Sequence, residues 1–313
     1  MAEQTSWILR LDDDTSPGLG RVRIDLAGED VERFLQGLLS ADVEALAPEH
    51  AQAACLLTVK GKIVTEVLVV RDRGGSVGLI VPVGQLEACV ALLDRYIIMD
   101  DVTPTPAEPA AMACVWGPGA RELVNGHSGE LAAYKTRHPV PGWIVVASPD
   151  AMQAFEAQAT VATPADFTTY RIETASPLWS REIMADRFPP EVGFVYAVNY
   201  NKGCFMGQEP LARIHARGQV NRVMVRVRAE QQPSQTAPVQ LDAADKPDVG
   251  RWTSWVGASG AVTGLAIVRR KVATPGTMLM AGELAVEVCS APLGDDPGVG
   301  NRHDKGRVQL GKR

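Results

Sequence analysis

Lys202-Gly203-Cys204-Phe205-Met206-Gly207-Gln208-Glu209 is the stretch of the sequence that carries the most information about the fold. It combines a cation, glycines, a thiol, an amide and a carboxylate, and Pro210 directly after it suits the first turn of a helix. Gly218 is placed to end that helix, and His215 is expected on its surface. Lys202 and the helix N-terminus both favour the thiolate form of Cys204, which predicts a reactive thiol. The alternative is a buried and inert thiol, as most free cysteines are.

The composition restricts the possible functions. The 313 residues carry a formal net charge of −6, which argues against a nucleic-acid binder that works by neutralising phosphates. No apolar run approaches the roughly 20 residues that a membrane span needs, and no signal pattern is present, so we expect a cytoplasmic protein. The five cysteines include no CxxC pair, which favours reduced thiols and argues against a metal or iron–sulfur site within one chain.

The hydrophobic pattern divides the chain into an α+β part up to about residue 217 and an all-β part from Asn221 onward. Val223, Val225 and Val227 alternate with polar residues and predict a strand of a barrel or sandwich. We expect residues 229–247 to be a loop and residues 301–313 to be a solvated basic tail. In the α+β part, the pattern predicts helices at 28–39, 85–96 and 150–159, strands at 53–59, 63–70, 77–81, 97–102, 111–116 and 143–147, and a connector at 103–109.

The signature loop, residues 202–209, resembles a family motif once the residues after it are included. With Ala212, Arg213, Gly218 and Arg222, it is similar to the K-G-C-Y-x-G-Q-E…A-R…G…R signature of the YgfZ family. These are folate-binding proteins related to the T-protein of glycine cleavage and to a mitochondrial iron–sulfur assembly factor. Weaker similarities occur in the expected order along nearly the whole chain, at Arg171-Ile172-Glu173…Pro177, at Pro190-Glu191, and at Val249-Gly250-Arg251-Trp252-Thr253-Ser254.

The resemblance implies an α+β fold with two ferredoxin-like units and a C-terminal β-barrel, arranged as a three-domain ring around a folate site. The first expected domain, which binds folate, is discontinuous and comprises residues 1–52 and 110–218. Residues 53–109 form the second α+β domain, residues 219–300 form the barrel, and residues 301–313 form the tail.

The resemblance also assigns site residues. Tetrahydrofolate or a derivative is the implied cofactor, and Glu173 is expected to hold its pterin, because a carboxylate accepts two hydrogen bonds from an aminopyrimidine edge. The alternative is that Glu173 only pairs with Arg171 or another cation. Arg171 and Glu66 are further candidate folate residues. Cys204 is the reactive or partner-facing thiol and Lys202 its modulator, and the loop is completed by Gly203, Phe205, Gly207, Gln208, Glu209 and Arg213. Phe205 replaces the usual tyrosine, which keeps the ring and loses the hydroxyl.

One departure separates two possible functions. T-proteins carry a G-G-x-[LIV]-D-D stretch whose aspartate helps methylene transfer, and the matching residues here are 61–66, with Thr65 in place of the first carboxylate. Strand alternation is expected to put Thr65 on the face of Ile63 and Val67, with Glu66 opposite. Without that carboxylate, methylene transfer would lose general acid–base catalysis, which is worth about 10²–10⁴ in rate.

The sequence therefore favours a tetrahydrofolate-binding protein that supports the assembly or repair of iron–sulfur enzymes, including those that thiolate tRNA. Its expected partners are folate and iron–sulfur client or assembly proteins, without direct contact with nucleic acid or membrane. The alternatives are a folate-dependent aminomethyltransferase that uses Glu66, so that enzyme activity stays open, and a scaffold whose folate site has decayed.

Overall fold

Sixteen strands form a long mixed sheet and a closed barrel in the computed structural model, which describes residues 5–12, 18–127, 129–217, 220–257, 260 and 262–294. The strands of the sheet are β1 (Trp7–Arg10), β2 (Arg21–Ala27), β3 (His50–Leu57), β4 (Ile63–Arg71), β5 (Val77–Pro82), β6 (Thr103–Pro106), β7 (Ala111–Trp116), β8 (Ala132–Thr136), β9 (Gly142–Ala147) and β10 (Thr160–Val161). The helices are α1 (Val31–Leu38), α2 (Leu86–Tyr96), α3 (Ala120–Gly126), α4 (Pro149–Glu156), α5 (Pro164–Glu173) and α6 (Gln208–Arg217). The barrel strands are β11 (Arg222–Ala229), β12 (Val239–Ala243), β13 (Lys246–Val256), β14 (Val262–Arg269), β15 (Met278–Ala281) and β16 (Leu284–Val288).

The sheet consists of two five-stranded halves that meet at a narrow junction. Its order is β10-β1-β7-β9-β8-β3-β4-β5-β2-β6, and β3 pairs with β8 in parallel only at His50 and Lys135. The Lys135 N–H also donates to Glu49 O at 3.0 Å. Each half packs one of its faces against its own helices. The half with α1 and α2 buries Phe34, Leu35 and Leu93, and the half with α3 and α4 buries Val124 and Phe155.

The C-terminal strands close into a barrel in the order β11-β14-β13-β12-β15-β16. Val223, Val225 and Val227 are at most 1% exposed and lie in its core with Trp252, as the alternation along β11 predicts. On the other face of β11, Met224 belongs to the central core that also includes residues of both sheet halves. The predicted fold class, α+β with a C-terminal β-barrel, is confirmed.

Three predictions of secondary structure are wrong, at residues 97–102, 103–109 and 229–247. Residues 97–102 form no strand, and the extended segment is instead β6, in the region predicted to be a connector. β6 contains Pro104 and Pro106 and pairs only with β2 at the end of the sheet, where strand prolines are tolerated. The expected loop at 229–247 contains β12 and the first residues of β13.

The strand pairing also bears on the expected domains. The expected boundary between residues 52 and 53 falls inside β3, and β2 pairs with β5 and β6. Pairing therefore groups residues 21–57 with residues 63–106, while the domain boundaries themselves stay a prediction. Gly218 and the tail at 301–313 lie outside the described residues. Within the described chain, no helix combines the length and the apolar character needed to cross a membrane.

Candidate functional site

The signature loop lies between the central core and the surface. Phe205 is 6% exposed and packs in the central core, and the Met206 N–H donates to Gly37 O at 3.0 Å. α6 begins at Gln208, so that Pro210 lies in its first turn as predicted. Glu209 and Arg213 are exposed and pair with each other along α6. Cys204 is an exposed free thiol, in contrast to the buried and inert alternative.

Lys202 is buried, and its ammonium is directed toward the chain that follows α1. Nζ donates to Leu39 O at 2.8 Å and to Ala41 O, and it lies 5.3 Å from the centroid of the Phe205 ring. Burial lowers the pKa of Lys202 to about 8, although the nearby carboxylates of Asp42 and Glu44 act in the opposite direction. The hydrogen bonds of Lys202 therefore connect the signature loop to residues 39–41, while Cys204 faces solvent two residues later.

Two glycines bring the signature loop into backbone contact with the turn before β4. Gly207 has φ +76°, and a Cβ there would lie 2.5 Å from Thr58 O and 2.9 Å from Gly61 Cα. Gly61 itself has φ +73°. Only glycine adopts this backbone conformation without strain and leaves room for such an approach. The two motifs singled out in the sequence, residues 61–66 and 202–209, are therefore neighbours in space.

Glu66 lies in a buried network of charged and polar side chains. Its Oε1 accepts from Arg21 Nη2 at 2.6 Å, and its Oε2 lies 3.0 Å from His138 Nε2. His138 Nδ1 lies 3.1 Å from the hydroxyl of Tyr196, so the network runs Arg21–Glu66–His138–Tyr196. Burial alone would raise the pKa of Glu66, but the charges of His138 and Arg21 lower it overall. Glu66 is 2% exposed and both of its carboxylate oxygens are engaged, so its carboxylate has no direct access to the solvent.

Thr65 is 1% exposed and lies on the face of β4 opposite Glu66, as predicted. Val67 packs beside α1 and α2, whereas Ile63 belongs to the central core with Leu68. The register of β4 shifts opposite Leu56 and Leu57, which moves Ile63 to the face of Glu66. The prediction that Ile63 shares a face with Thr65 and Val67 is therefore wrong, because alternation assumes an unbroken strand.

Arg171 lies in a second buried network, which attaches α5 to the barrel. Its guanidinium donates to Glu182 Oε2 at 2.8 Å, to Ser176 O at 2.9 Å and to Ser254 Oγ at 2.6 Å. Glu182 Oε1 accepts from the hydroxyls of Thr253 and Ser254. The carboxylate that pairs with Arg171 is therefore Glu182, and Glu173 is exposed at the end of α5. In the described chain, the backbone oxygen of Glu173 accepts from Arg226 at 2.6 Å.

A cavity of about 790 Å³ opens beside the segment that leads into the signature loop, and we call it the Asp42 cavity. It is bordered by the chain after α1, the start of β3, the turn after β8, the segment before Lys202 and one residue of α6. The side chains that give it polar or aromatic character are Asp42, His50, Gln52, Arg137, Tyr196, Asn199, Tyr200, Asn201 and His215. Tyr196 is also the end of the Glu66 network, so this network reaches the cavity wall.

The described lining residues of the cavity include one carboxylate, Asp42, and one guanidinium, Arg137. The Asp42 carboxylate accepts from Gln36 Nε2 at 2.9 Å and lies 3.5 Å from Asn199 Nδ2. The Arg137 guanidinium lies 4.4 Å above the ring of Tyr196. These groups could bind complementary hydrogen-bond donors and an anion at separate points of one ligand.

These lining residues are not among those predicted from the sequence. A signal is nevertheless visible in the sequence, because Tyr196, Asn199, Tyr200 and Asn201 form a polar and aromatic run directly before Lys202. Asp42 and Arg137 gave no such signal, since each is an isolated charge far away along the chain. His215, expected on the surface of α6, is half-buried, stacks on Tyr200 at 4.2 Å between ring centroids, and lines the cavity.

Comparison with solved structures identifies the class of fold. An aminomethyltransferase T of the glycine cleavage system from Bartonella henselae superposes with a TM-score of 0.76 over 93% of this chain and 87% of its own, at 16% identity. The chain therefore has the fold of this aminomethyltransferase.

Several proteins of known name are similar to this chain in sequence. The protein is similar to the tRNA-modifying protein YgfZ of Sodalis glossinidius, with 27% identity over 64% of this chain and 67% of that protein. The YgfZ of Edwardsiella ictaluri is 25% identical over 76% of each chain. An aminomethyltransferase of Francisella philomiragia is 32% identical, but over only 33% of this chain and 28% of that enzyme. No family model matches the sequence. The resemblance to the YgfZ family is confirmed.

Proposed function

We propose that the protein binds tetrahydrofolate, or a derivative of it, in the Asp42 cavity and supports the assembly or repair of iron–sulfur enzymes. The observation that supports folate binding is the placement of a carboxylate, a guanidinium and aromatic rings around one cavity that adjoins the signature loop. Its volume of about 790 Å³ lies within the roughly 300–1,000 Å³ of small-molecule sites.

The lining residues fit the chemistry of a folate. The aminopyrimidine edge of the pterin presents paired N–H donors, which suit the Asp42 carboxylate. The glutamate tail carries carboxylates, which suit the exposed Arg137 guanidinium. Tyr196, Tyr200 and His215 offer ring surfaces against which the flat parts of the ligand can pack. Bound folate would supply one-carbon chemistry, while the residues of this chain bind and orient it.

Two carboxylates compete for the role of pterin acceptor. The family resemblance favours Glu173, whereas the cavity favours Asp42, because Glu173 is not among its described lining residues. Calorimetric titration with tetrahydrofolate of Asp42→Asn and Glu173→Gln separates them, since both changes remove a charge and keep the shape. We expect Asp42→Asn to weaken binding at least about tenfold and Glu173→Gln to leave it nearly unchanged. The reverse result would identify Glu173 as the residue that binds the pterin. An absence of tetrahydrofolate binding by the wild type would refute the folate proposal.

The iron–sulfur role rests on the relatives and on the thiol. The YgfZ relatives are described as tRNA-modifying, and Cys204 is exposed where a partner protein can reach it. Complementation of a bacterial strain that lacks its YgfZ tests the role, with the thiolation of tRNA and the activity of iron–sulfur enzymes as readouts. We expect rescue by the wild type and loss of rescue by Cys204→Ala. Rescue by both proteins would contradict the role of the thiol, and rescue by neither would contradict the iron–sulfur function.

An aminomethyltransferase is the second candidate, favoured by the T-protein fold and by the partial similarity to an aminomethyltransferase. The environment of Glu66 argues against it, because both carboxylate oxygens are engaged by Arg21 and His138 in the core. An assay for methylenetetrahydrofolate formation from an aminomethyl donor distinguishes the two. Turnover by the wild type that is lost in Glu66→Gln would establish this second candidate.

A further inference from the structure

A second cavity, of about 600 Å³, lies between α5 and the C-terminal barrel, and we call it the Arg181 cavity. Phe167 and Arg171 of α5 and the side chain of Arg181 border one side of it. Gln235, Ser254 and Trp255 of the barrel border the other. It shares no described lining residue with the Asp42 cavity, so the two are separate sites.

The cavity has an uncompensated positive charge on its wall. Arg171 is neutralised by Glu182 at 2.8 Å, and the other oxygen of Glu182 is occupied by the hydroxyls of Thr253 and Ser254. Arg181 forms no ion pair with any carboxylate in the described chain, and no aspartate or glutamate is among the described lining residues. A half-buried guanidinium without a carboxylate partner is a strong binding group for one carboxylate or phosphate.

Aromatic residues border both sides of the cavity. Trp255 is partly buried and packs against Trp252, with 5.3 Å between the ring centroids, and Phe167 is 1% exposed. Both walls are held in place, because the hydrogen bonds of Arg171 to Glu182 and Ser254 tie α5 to β13. A cavity at the junction of two structural units that combines apolar and polar side chains is a typical location for a small-molecule site.

We propose that the Arg181 cavity binds a small molecule that carries one anionic group on a flat aromatic or heterocyclic ring. The guanidinium of Arg181 binds the anion, and Trp255 contacts the ring. The side chain of Gln235 lies on the same side of the cavity as Trp255 and can accept or donate a hydrogen bond. This site is independent of folate binding in the Asp42 cavity.

Ligand-observed NMR titration of the full chain tests the proposal with two pairs of probes. Adenosine 5′-monophosphate is compared with adenosine, and 2-naphthoate with 2-naphthol, so that each pair differs in the anionic group. We expect at least one anion to bind about tenfold more tightly than its neutral counterpart. Preference for the nucleotide identifies phosphate as the bound group, and preference for naphthoate identifies carboxylate.

Variants locate the binding. Arg181→Ala is expected to remove the preference for the anion, Arg181→Lys to keep part of it, and Trp255→Phe to weaken both members of a pair. Arg121→Ala, at an exposed arginine of α3, is the matched control and should bind as the wild type does. The proposal is overturned when neither anion binds at millimolar concentration, or when Arg181→Ala binds the anion as tightly as the wild type.

Discussion

Lys202 and Cys204 are two residues apart in the signature loop but lie in opposite environments. Lys202 is 9% exposed and donates to backbone carbonyls beside Asp42, whereas Cys204 is exposed. One end of the loop therefore belongs to the wall region of the Asp42 cavity and the other end to the surface. A short motif can therefore contribute to two sites, because nearby residues of a loop can face different surroundings.

The largest expected difference between the two ends is in the pH dependence of stability. The pKa of Lys202 is lowered to about 8 in the folded protein, from 10.5 as the ordinary value. Between about pH 8 and pH 10.5, the unfolded chain keeps the proton on Lys202 and the folded chain has released it. Since the unfolded state then binds more protons, the free energy of unfolding rises with pH, by up to about 3 kcal/mol from this group.

Denaturant unfolding of the wild type and of Lys202→Met at pH 7 and pH 10 isolates this contribution, because other titrating groups are common to both. The wild type should gain stability relative to Lys202→Met as the pH rises. A stability difference that is the same at both pH values would show that Lys202 is not forced to lose its proton by burial.

The next largest effect is expected at the glycines of the loop. Gly207→Ala should lower the free energy of unfolding by about 2 kcal/mol, because φ is +76° and the new Cβ would meet Thr58 O at 2.5 Å. Gly203→Ala is the matched control, since a Cβ at Gly203 meets nothing within 4 Å. Thermal and denaturant unfolding of the two variants measures the difference. Equal stabilities would mean that the contact between residues 61 and 207 does not constrain the loop.

The sequence predicted the parts of the fold that depend on periodicity. α1, α2 and β11 follow regular burial patterns, and the structure places them where the pattern does. Residues 97–102 were mistaken for a strand because an apolar run alone does not distinguish a strand from the end of a helix. Register was also beyond reach at Ile63, since the shift in β4 depends on its partner strand.

The candidate site was predictable only where its residues are adjacent in sequence. The signature loop was found because its residues are contiguous, but Asp42 and Arg137 meet at the cavity only through folding. Arg171 and Glu66 are candidate folate residues in the sequence, and that role stays a prediction. Their burial in networks with Glu182 and with His138 could not be read from the sequence, because those partners are distant or unmarked along the chain.

A smaller difference between Lys202 and Cys204 is expected in folate binding, and this prediction rests on the proposed function. Lys202→Met removes the donor to Ala41 O and frees the chain that carries Asp42, so affinity for tetrahydrofolate should fall about tenfold through lost preorganisation. Lys202→Arg keeps a cation and should restore part of the affinity, and Cys204→Ser should bind as the wild type does. Calorimetry on the three variants would contradict this division if Cys204→Ser were the weaker binder.

The smallest effects on stability are expected at the thiol. Cys204→Ser should change the free energy of unfolding by no more than about 0.5 kcal/mol, because an exposed side chain gives up little contact on substitution.

The reactivity of the Cys204 thiol should nevertheless be distinctive, since Cys55, Cys89 and Cys114 are buried, and burial raises the pKa of Cys89 and Cys114 to about 12. In a Cys289→Ser background, iodoacetamide should therefore modify one residue of the native protein, Cys204, as peptide mass spectrometry would show. Adding Lys202→Met should leave the alkylation rate unchanged, because the ammonium of Lys202 is committed to Leu39 O and Ala41 O. A clearly slower rate in that variant would mean that the ammonium acts on the thiol, and the two ends of the loop would then form one site.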